Sequence, residues 1–182
     1  MKQKLETFVG YLIVIGVIVM ITSVILYVQK PQGNPGKHAE KIQDGVLYKV
    51  VNVFDGDTLV ANVAGYEVTV RLIGMDTPEV VDPRKPVQCY GPEASAKAKE
   101  LLSGREIYLE KEATKGNYDM YGRVLAYAKF EDGELYNQKM IEEGFAREYT
   151  FNKEKYKYQK EFKEAQVAAK KQKAGLWGKC TK

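Results

Sequence analysis

Histidine is nearly absent. His38 is the only one in 182 residues, which excludes a histidine-based catalytic site and a zinc centre. Cysteine is scarce too. Cys89 and Cys180 stand apart, in neither a CxxC nor a Cys/His spacing, so no metal or redox motif uses them. In an exported domain two such cysteines suggest one disulfide; in the cytosol they stay reduced. Charge is missing from residues 8–28, a run made mostly of Val, Ile and Leu. At about 1.5 Å per residue this run spans roughly 30 Å, the depth of a bilayer core.

The uncharged run exceeds the roughly 7–15 apolar residues of a signal peptide, and Thr22-Ser23-Val24 makes a poor cleavage site. We therefore expect a retained single-pass anchor over 8–28; a cleaved signal leading to secretion and a core helix are the alternatives. Lys2, Lys4 and the amino terminus precede the run, offset in part by Glu6, while Lys30 and Lys37 follow it. The positive-inside rule then favours a short cytoplasmic segment, 1–7, with the rest of the chain outside the cell. In that orientation Cys89 and Cys180 are expected to pair, pinning the C-terminal segment; two unrelated thiols are the alternative.

The net charge of +4 hides an uneven distribution. Residues 38–152 carry 14 basic and 20 acidic side chains, whereas residues 153–182 carry ten basic and three acidic. The globular part is thus no polycationic sponge. Any phosphate binding must come from a few placed arginines and a metal, or from the lysine-rich C-terminal segment, whose plain alternative is a solvated helix face.

Pro31-Gln32-Gly33-Asn34-Pro35-Gly36 lies in a flexible linker, 29–45, and His38 falls within it. Two β-rich runs, 47–54 and 58–63, meet at the turn signal Asp55-Gly56-Asp57. After Ala64-Gly65, residues 66–72 alternate cleanly, with Tyr66, Val68, Val70 and Leu72 on one face. A helix opens at Gly91-Pro92, where proline's missing N–H costs nothing, and ends at Ser103-Gly104. Strands follow over 105–112 and 124–130, then a short helix over 135–143. A charged helix over 156–172 has the few apolar residues Tyr156, Phe162, Ala165, Val167 and Ala168. Trp177 reads as a packing plug. Five short strands with a helix between the third and fourth fit an α+β fold, a five-stranded OB-fold β-barrel with three helices, closed or partly open rather than a flat sheet, because closure removes exposed edges. One transmembrane helix would precede it.

The chemistry-bearing residues gather at strand junctions. Asp55 and Asp57 start the second strand; Asp76 and Glu79 follow the third. In a meander these points share one end of the sheet. Four carboxylates there repel unless a cation sits among them, and hard oxygen ligands select calcium or magnesium. Each motif alone also reads as simple turn chemistry. Arg71 and Arg123 offer two guanidinium forks suited to phosphate.

Asp55-Gly56-Asp57-Thr58, Arg71, Asp76-Thr77-Pro78-Glu79, Tyr90-Gly91-Pro92-Glu93-Ala94-Ser95 and Asp119-Met120-Tyr121-Gly122-Arg123-Val124-Leu125-Ala126-Tyr127 closely resemble the staphylococcal nuclease (thermonuclease) family. The resemblance covers 46–178 and leaves a tail, 179–182. It implies a calcium-dependent endonuclease, a monomer, that hydrolyses phosphodiester bonds of DNA and RNA and leaves 3′-phosphate ends. Single-stranded or locally unpaired substrate would be favoured. Asp57 and Asp76 would ligate calcium by carboxylate and Thr77 by its carbonyl, with Asp55 behind them. Glu79 would be the general base, and Arg71 and Arg123 the phosphate clamp. Lys85, Tyr121, Tyr149 and Phe151 would bind substrate, with plain packing the alternative for the last two. Met120 stands where the family has a lysine, so one phosphate contact is missing. A non-catalytic OB-like binding module is the competing reading; it would be free to lose Glu79, Arg71 or Arg123, and all three are present.

Overall fold

Side-chain alternation generates the barrel. The computed structural model describes residues 38–80, 86–114 and 116–180, together with Ile15 and Val19. The chain divides between Gly33 and Asn34, and the architecture below is that of the second unit. The expected membrane span 8–28, the N-terminal segment 1–7 and Lys85 lie outside the described residues, apart from Ile15 and Val19. Among the described residues no helix is long and apolar enough to cross a membrane.

Strands β1 (Leu47–Val53), β2 (Thr58–Val63) and β3 (Tyr66–Leu72) form an antiparallel meander. The β2–β3 turn places Ala64 and Gly65 at positive φ, and Asn62 Oδ1 accepts the Gly65 N–H at 2.9 Å. This is the geometry that matches the right-handed twist of a hairpin. Val68, Val70 and Leu72 of β3 are buried, as their alternation requires. Helix α1 (Gly91–Leu102) buries Ala94, Ala98 and Leu102. It leads into β5 (Glu106–Lys111) and β6 (Val124–Lys129). β6 pairs in parallel with β3, and β5 pairs with both β6 and β1, so the five strands close in the order β1-β2-β3-β6-β5. The five-stranded closed barrel is thus the expected one.

Four details depart from the sequence reading. The supposed linker is part of the domain from His38 onward: His38 stacks on Tyr66 at 4.3 Å, and Ala39 and Ile42 join the core. A second sheet of two short strands, β4 (Met75–Asp76) and β7 (Arg147–Glu148), is too brief to show periodicity. Helix α2 (Tyr136–Glu142) is followed by the long helix α3 (Gln159–Gln172), which begins three residues later than expected. Tyr156 instead sits before the helix, its hydroxyl donating to Glu148 at 2.9 Å. Finally, α3 buries Phe162 and Ala165 as expected, but Val167 is 66% exposed and Ala169 turns inward in place of Ala168. Tyr156 and Phe162 roof Gly74, where an added Cβ would lie 2.7 Å and 2.8 Å from their rings.

After α3 comes the single turn α4 (Leu176–Lys179). Trp177 is only half-buried, between the cations of Arg147 at 5.5 Å and Lys170 at 4.6 Å. Cys180 is bridged to Cys89 just ahead of α1, with Cα atoms 5.9 Å apart, as expected.

Candidate active site

The site lies where β2 begins and β3 ends. Thr58 is in register with Arg71, and the Leu72 N–H donates to the Asp57 carbonyl at 2.9 Å. Asp55 shapes the turn: its Oδ1 accepts the Asp57 N–H at 3.0 Å. The next segment is then drawn in. The buried Asp57 carboxylate accepts the backbone N–H of Thr77 at 3.0 Å and its hydroxyl at 3.2 Å. Gly56 permits this approach, because a Cβ there would overlap the Thr77 side chain. Tyr136 closes the turn from below, donating to the Gly56 carbonyl at 2.7 Å.

Arg71 balances the acids. Its guanidinium pairs with Asp57, and Nη2 lies 3.0 Å from Asp76 Oδ1. Burial pushes its pKa down, Asp76 opposes that shift, and the nearby Arg123 adds to it. Arg123 is aimed by Asp119, whose carboxylate accepts Nε at 2.7 Å and the Arg123 N–H at 2.9 Å. Thr58 joins the groups: its hydroxyl donates to Asp57 Oδ1 at 3.0 Å and lies 3.5 Å from Arg123 Nη1. Asp55 is pushed up, first by burial; Arg71 and Thr58 oppose this, and Glu79 adds to it. The Glu79 carboxylate itself accepts the Val80 N–H at 3.0 Å. The Glu79 backbone is held by Gln88, which accepts the Glu79 N–H through its side chain at 3.0 Å and donates its own N–H back at 2.9 Å.

Asp57, Asp76, Thr77, Arg71 and Arg123 thus converge, with Asp55 and Glu79 on their border. The expectation of several carboxylates around one point takes a different form: among the described residues no three acids are arranged about a metal position, and the cation lying between Asp57 and Asp76 is Arg71. The donor set still fits calcium. Two carboxylates and the Thr77 carbonyl are hard oxygens, and the buried Asp57 charge is met in this structure by Arg71.

Of the expected substrate residues, Tyr121, Tyr149 and Phe151 are described. Tyr121 is exposed, with Arg123 5.4 Å from its ring centre. Tyr149 and Phe151 are 46% and 55% exposed, with ring centres 6.5 Å apart. They are tied to the site because β7 pairs with β4, setting Arg147 opposite Asp76, and because the Tyr149 N–H donates to the Gly74 carbonyl at 3.1 Å. Sequence reasoning missed Thr58, Asp119, Tyr136, Gln88 and Arg147. The spacing of Asp119 and Arg123 was a usable signal; Tyr136 and Gln88 act across folds of the chain that leave no local pattern.

A family model described as staphylococcal nuclease homologue matches residues 69–179. The chain belongs to the staphylococcal nuclease homologue family. This nuclease is 38% identical over 175 residues to a thermonuclease of Staphylococcus hyicus, covering 96% of the chain and 98% of that relative. It is 38% identical over 164 residues to a thermonuclease of Staphylococcus intermedius, covering 89% and 95%. Endonuclease YncB of Bacillus subtilis is 37% identical over 153 residues, covering 83% of the chain and 70% of the relative. The nuclease is accordingly an enzyme of the hydrolase class.

Proposed function

We propose that the chain is a calcium-dependent endonuclease that cleaves phosphodiester bonds of DNA and RNA and leaves 3′-phosphate ends. The observation that carries this reading is the convergence of Arg71 and Arg123 on the Asp57–Thr77 segment through Thr58. Two guanidinium groups beside a carboxylate pair are what a phosphodiester under attack requires: charge to bind it and charge to stabilise it. Asp57, Asp76 and the Thr77 carbonyl would hold calcium, which when bound polarises a phosphoryl oxygen. Glu79 accepts the proton of the attacking water. Arg71 and Arg123 bind the phosphate and stabilise the charge that develops on it. Tyr149 and Phe151 offer faces for unpaired bases, which favours single-stranded or locally open substrate.

The enzyme acts as a monomer on the outer face of a membrane, held by residues 8–28. The disulfide supports an oxidising location. Secretion after cleavage of the N-terminal run is the alternative. A chain beginning at residue 31 is expected to leave the membrane fraction and keep its activity; a fragment without activity would count against an anchor separate from the domain.

The decisive assay is digestion of single-stranded DNA with calcium, with magnesium alone and with a chelator. Cleavage is expected with calcium, with little in magnesium, because a site with few protein ligands suits the larger and more flexibly coordinated ion. Full activity in magnesium alone would overturn the calcium assignment.

A further inference from the structure

The lysine-rich C-terminal segment has a sidedness that its sequence hides. Helix α3 meets β7 and the residues after it through two glutamines. Gln166 accepts the Glu148 N–H at 3.0 Å, and Gln159 donates to Thr150 Oγ1 at 2.8 Å. These glutamines are seven positions apart and mark the edge of α3 that borders β7. Lys163 and Lys170 follow them by four positions each, so both lie about 40° further round, beside that same edge. The acids Glu161 and Glu164 fall on the far side. Lys160, between the two edges, approaches Glu164 at 4.0 Å. Both acids of the helix thus lie away from β7, where Lys160 and Lys171 accompany them, while the lysines bordering β7, Lys163 and Lys170, have no acid beside them on the helix.

The basic edge continues into β7. Arg147 and Lys170 both pack over Trp177, and Arg147 is set opposite Asp76 in the β4–β7 pair. Arg147 on β7 and the nearby Tyr149 and Phe151 are all exposed. Among the described residues no carboxylate forms an ion pair with Arg147, Lys163 or Lys170. Unneutralised cations in a row, beside two exposed aromatic faces, complement a flexible polyanion that carries bases.

We propose that Arg147, Lys163 and Lys170 form a phosphate-binding edge that holds single-stranded nucleic acid beyond the bond being cut. The proposal rests on the nuclease reading above and adds a second binding surface to it, one that raises affinity for long substrates and does nothing for the shortest.

The test uses the full chain and its Lys163→Gln/Lys170→Gln variant. Binding of a single strand of about 20 nucleotides is followed against salt concentration, with a chelator present so that nothing is cut. Removing one cation–phosphate pair from a single-strand complex flattens the log–log salt slope by about 0.7, so a change of about 1.4 is expected for the two lysines. With calcium, kcat/KM on a dinucleotide should stay at the wild-type value, while KM on the long strand rises several-fold. Lys163→Arg/Lys170→Arg should retain the wild-type slope. An unchanged slope overturns the proposal, including the case in which the glutamine variant instead loses affinity for vesicles containing phosphatidylglycerol. Equal losses on the dinucleotide and the long strand also overturn it, since they indicate a disturbed site. Should the double variant fail to fold, Lys163→Gln alone, at an exposed position, should show half the slope change. A wild-type chain that cuts neither substrate defeats the nuclease reading, and the slope still decides the edge.

Discussion

One methyl group is enough to test the Asp55–Asp57 turn. A Cβ on Gly56 would overlap Thr77 Cγ2 and lie 2.9 Å from Thr77 Cβ. Thr77 gives the buried Asp57 carboxylate two of its hydrogen bonds. Gly56→Ala is therefore expected to displace Thr77, cost about 1–3 kcal/mol in stability by overpacking, and raise the calcium concentration needed for half-maximal activity. A calcium titration of activity, with a denaturation curve alongside, checks both effects. Glu79→Gln is expected to lose at least about 10²-fold in kcat while still binding substrate, the scale of a general base. Arg123→Ala should cost a similar factor through weaker charge stabilisation. Near-wild-type turnover would remove the residue concerned from the mechanism. The charged members of this set were legible as residue types with a spacing. The hydroxyl that joins them, on Thr58, was not, because a threonine in a β-rich run looks like any other strand residue.

Strands and helices were legible wherever periodicity ran for a full turn or more. β3 shows this best, since every second side chain from Val68 is buried. β4 and β7 were invisible because two residues carry no period, yet their pairing brings Tyr149 and Phe151 to the site. The buried stripe of α3 was read correctly at Phe162 and Ala165 and misread further on, because alanine is apolar enough for either face, and Ala169 rather than Ala168 turned inward. β5 carries a comparable surprise just past its end. Glu112 is buried, accepting the Tyr127 hydroxyl at 2.6 Å, the Lys157 N–H at 2.7 Å and the Thr114 N–H at 3.2 Å. Burial pushes its carboxyl up, but these donors more than offset that and hold it below the usual range. The folded pKa is then lower than the unfolded one. The stability from Glu112 is fully present above the unfolded value of about 4.3 and is lost as pH falls through the folded value. Glu112→Gln is expected to destabilise the protein by about 2 kcal/mol near neutral pH, with the gap to wild type closing on acidification. Urea denaturation across a pH series measures this; a gap that is constant with pH would contradict it.

At the scale of the whole molecule, the Cys89–Cys180 bridge fastens the last turn beside the start of α1 and spans 91 positions. Loop-closure entropy sets its contribution at about 4–5 kcal/mol, an upper figure when the segment is already docked. Reduction, or Cys89→Ser with Cys180→Ser, should lower Tm by several degrees without abolishing cleavage. An unchanged Tm would show that packing of α4 alone secures the segment. The closed barrel itself was legible from five short strands and the need to hide edges. The start of the domain was not, because the only histidine sits among linker-like residues and reveals its place only by stacking on Tyr66. One further consequence follows from the roof over Gly74. The Tyr156 hydroxyl lies 3.4 Å from the Gly74 carbonyl, 82 positions away in the sequence, and Phe162 packs on the same spot. A ribosome therefore makes the floor of this core long before its cover. Until Phe162 has been synthesised the nascent chain cannot seal this part of its interior, so the core stays open through most of its own translation.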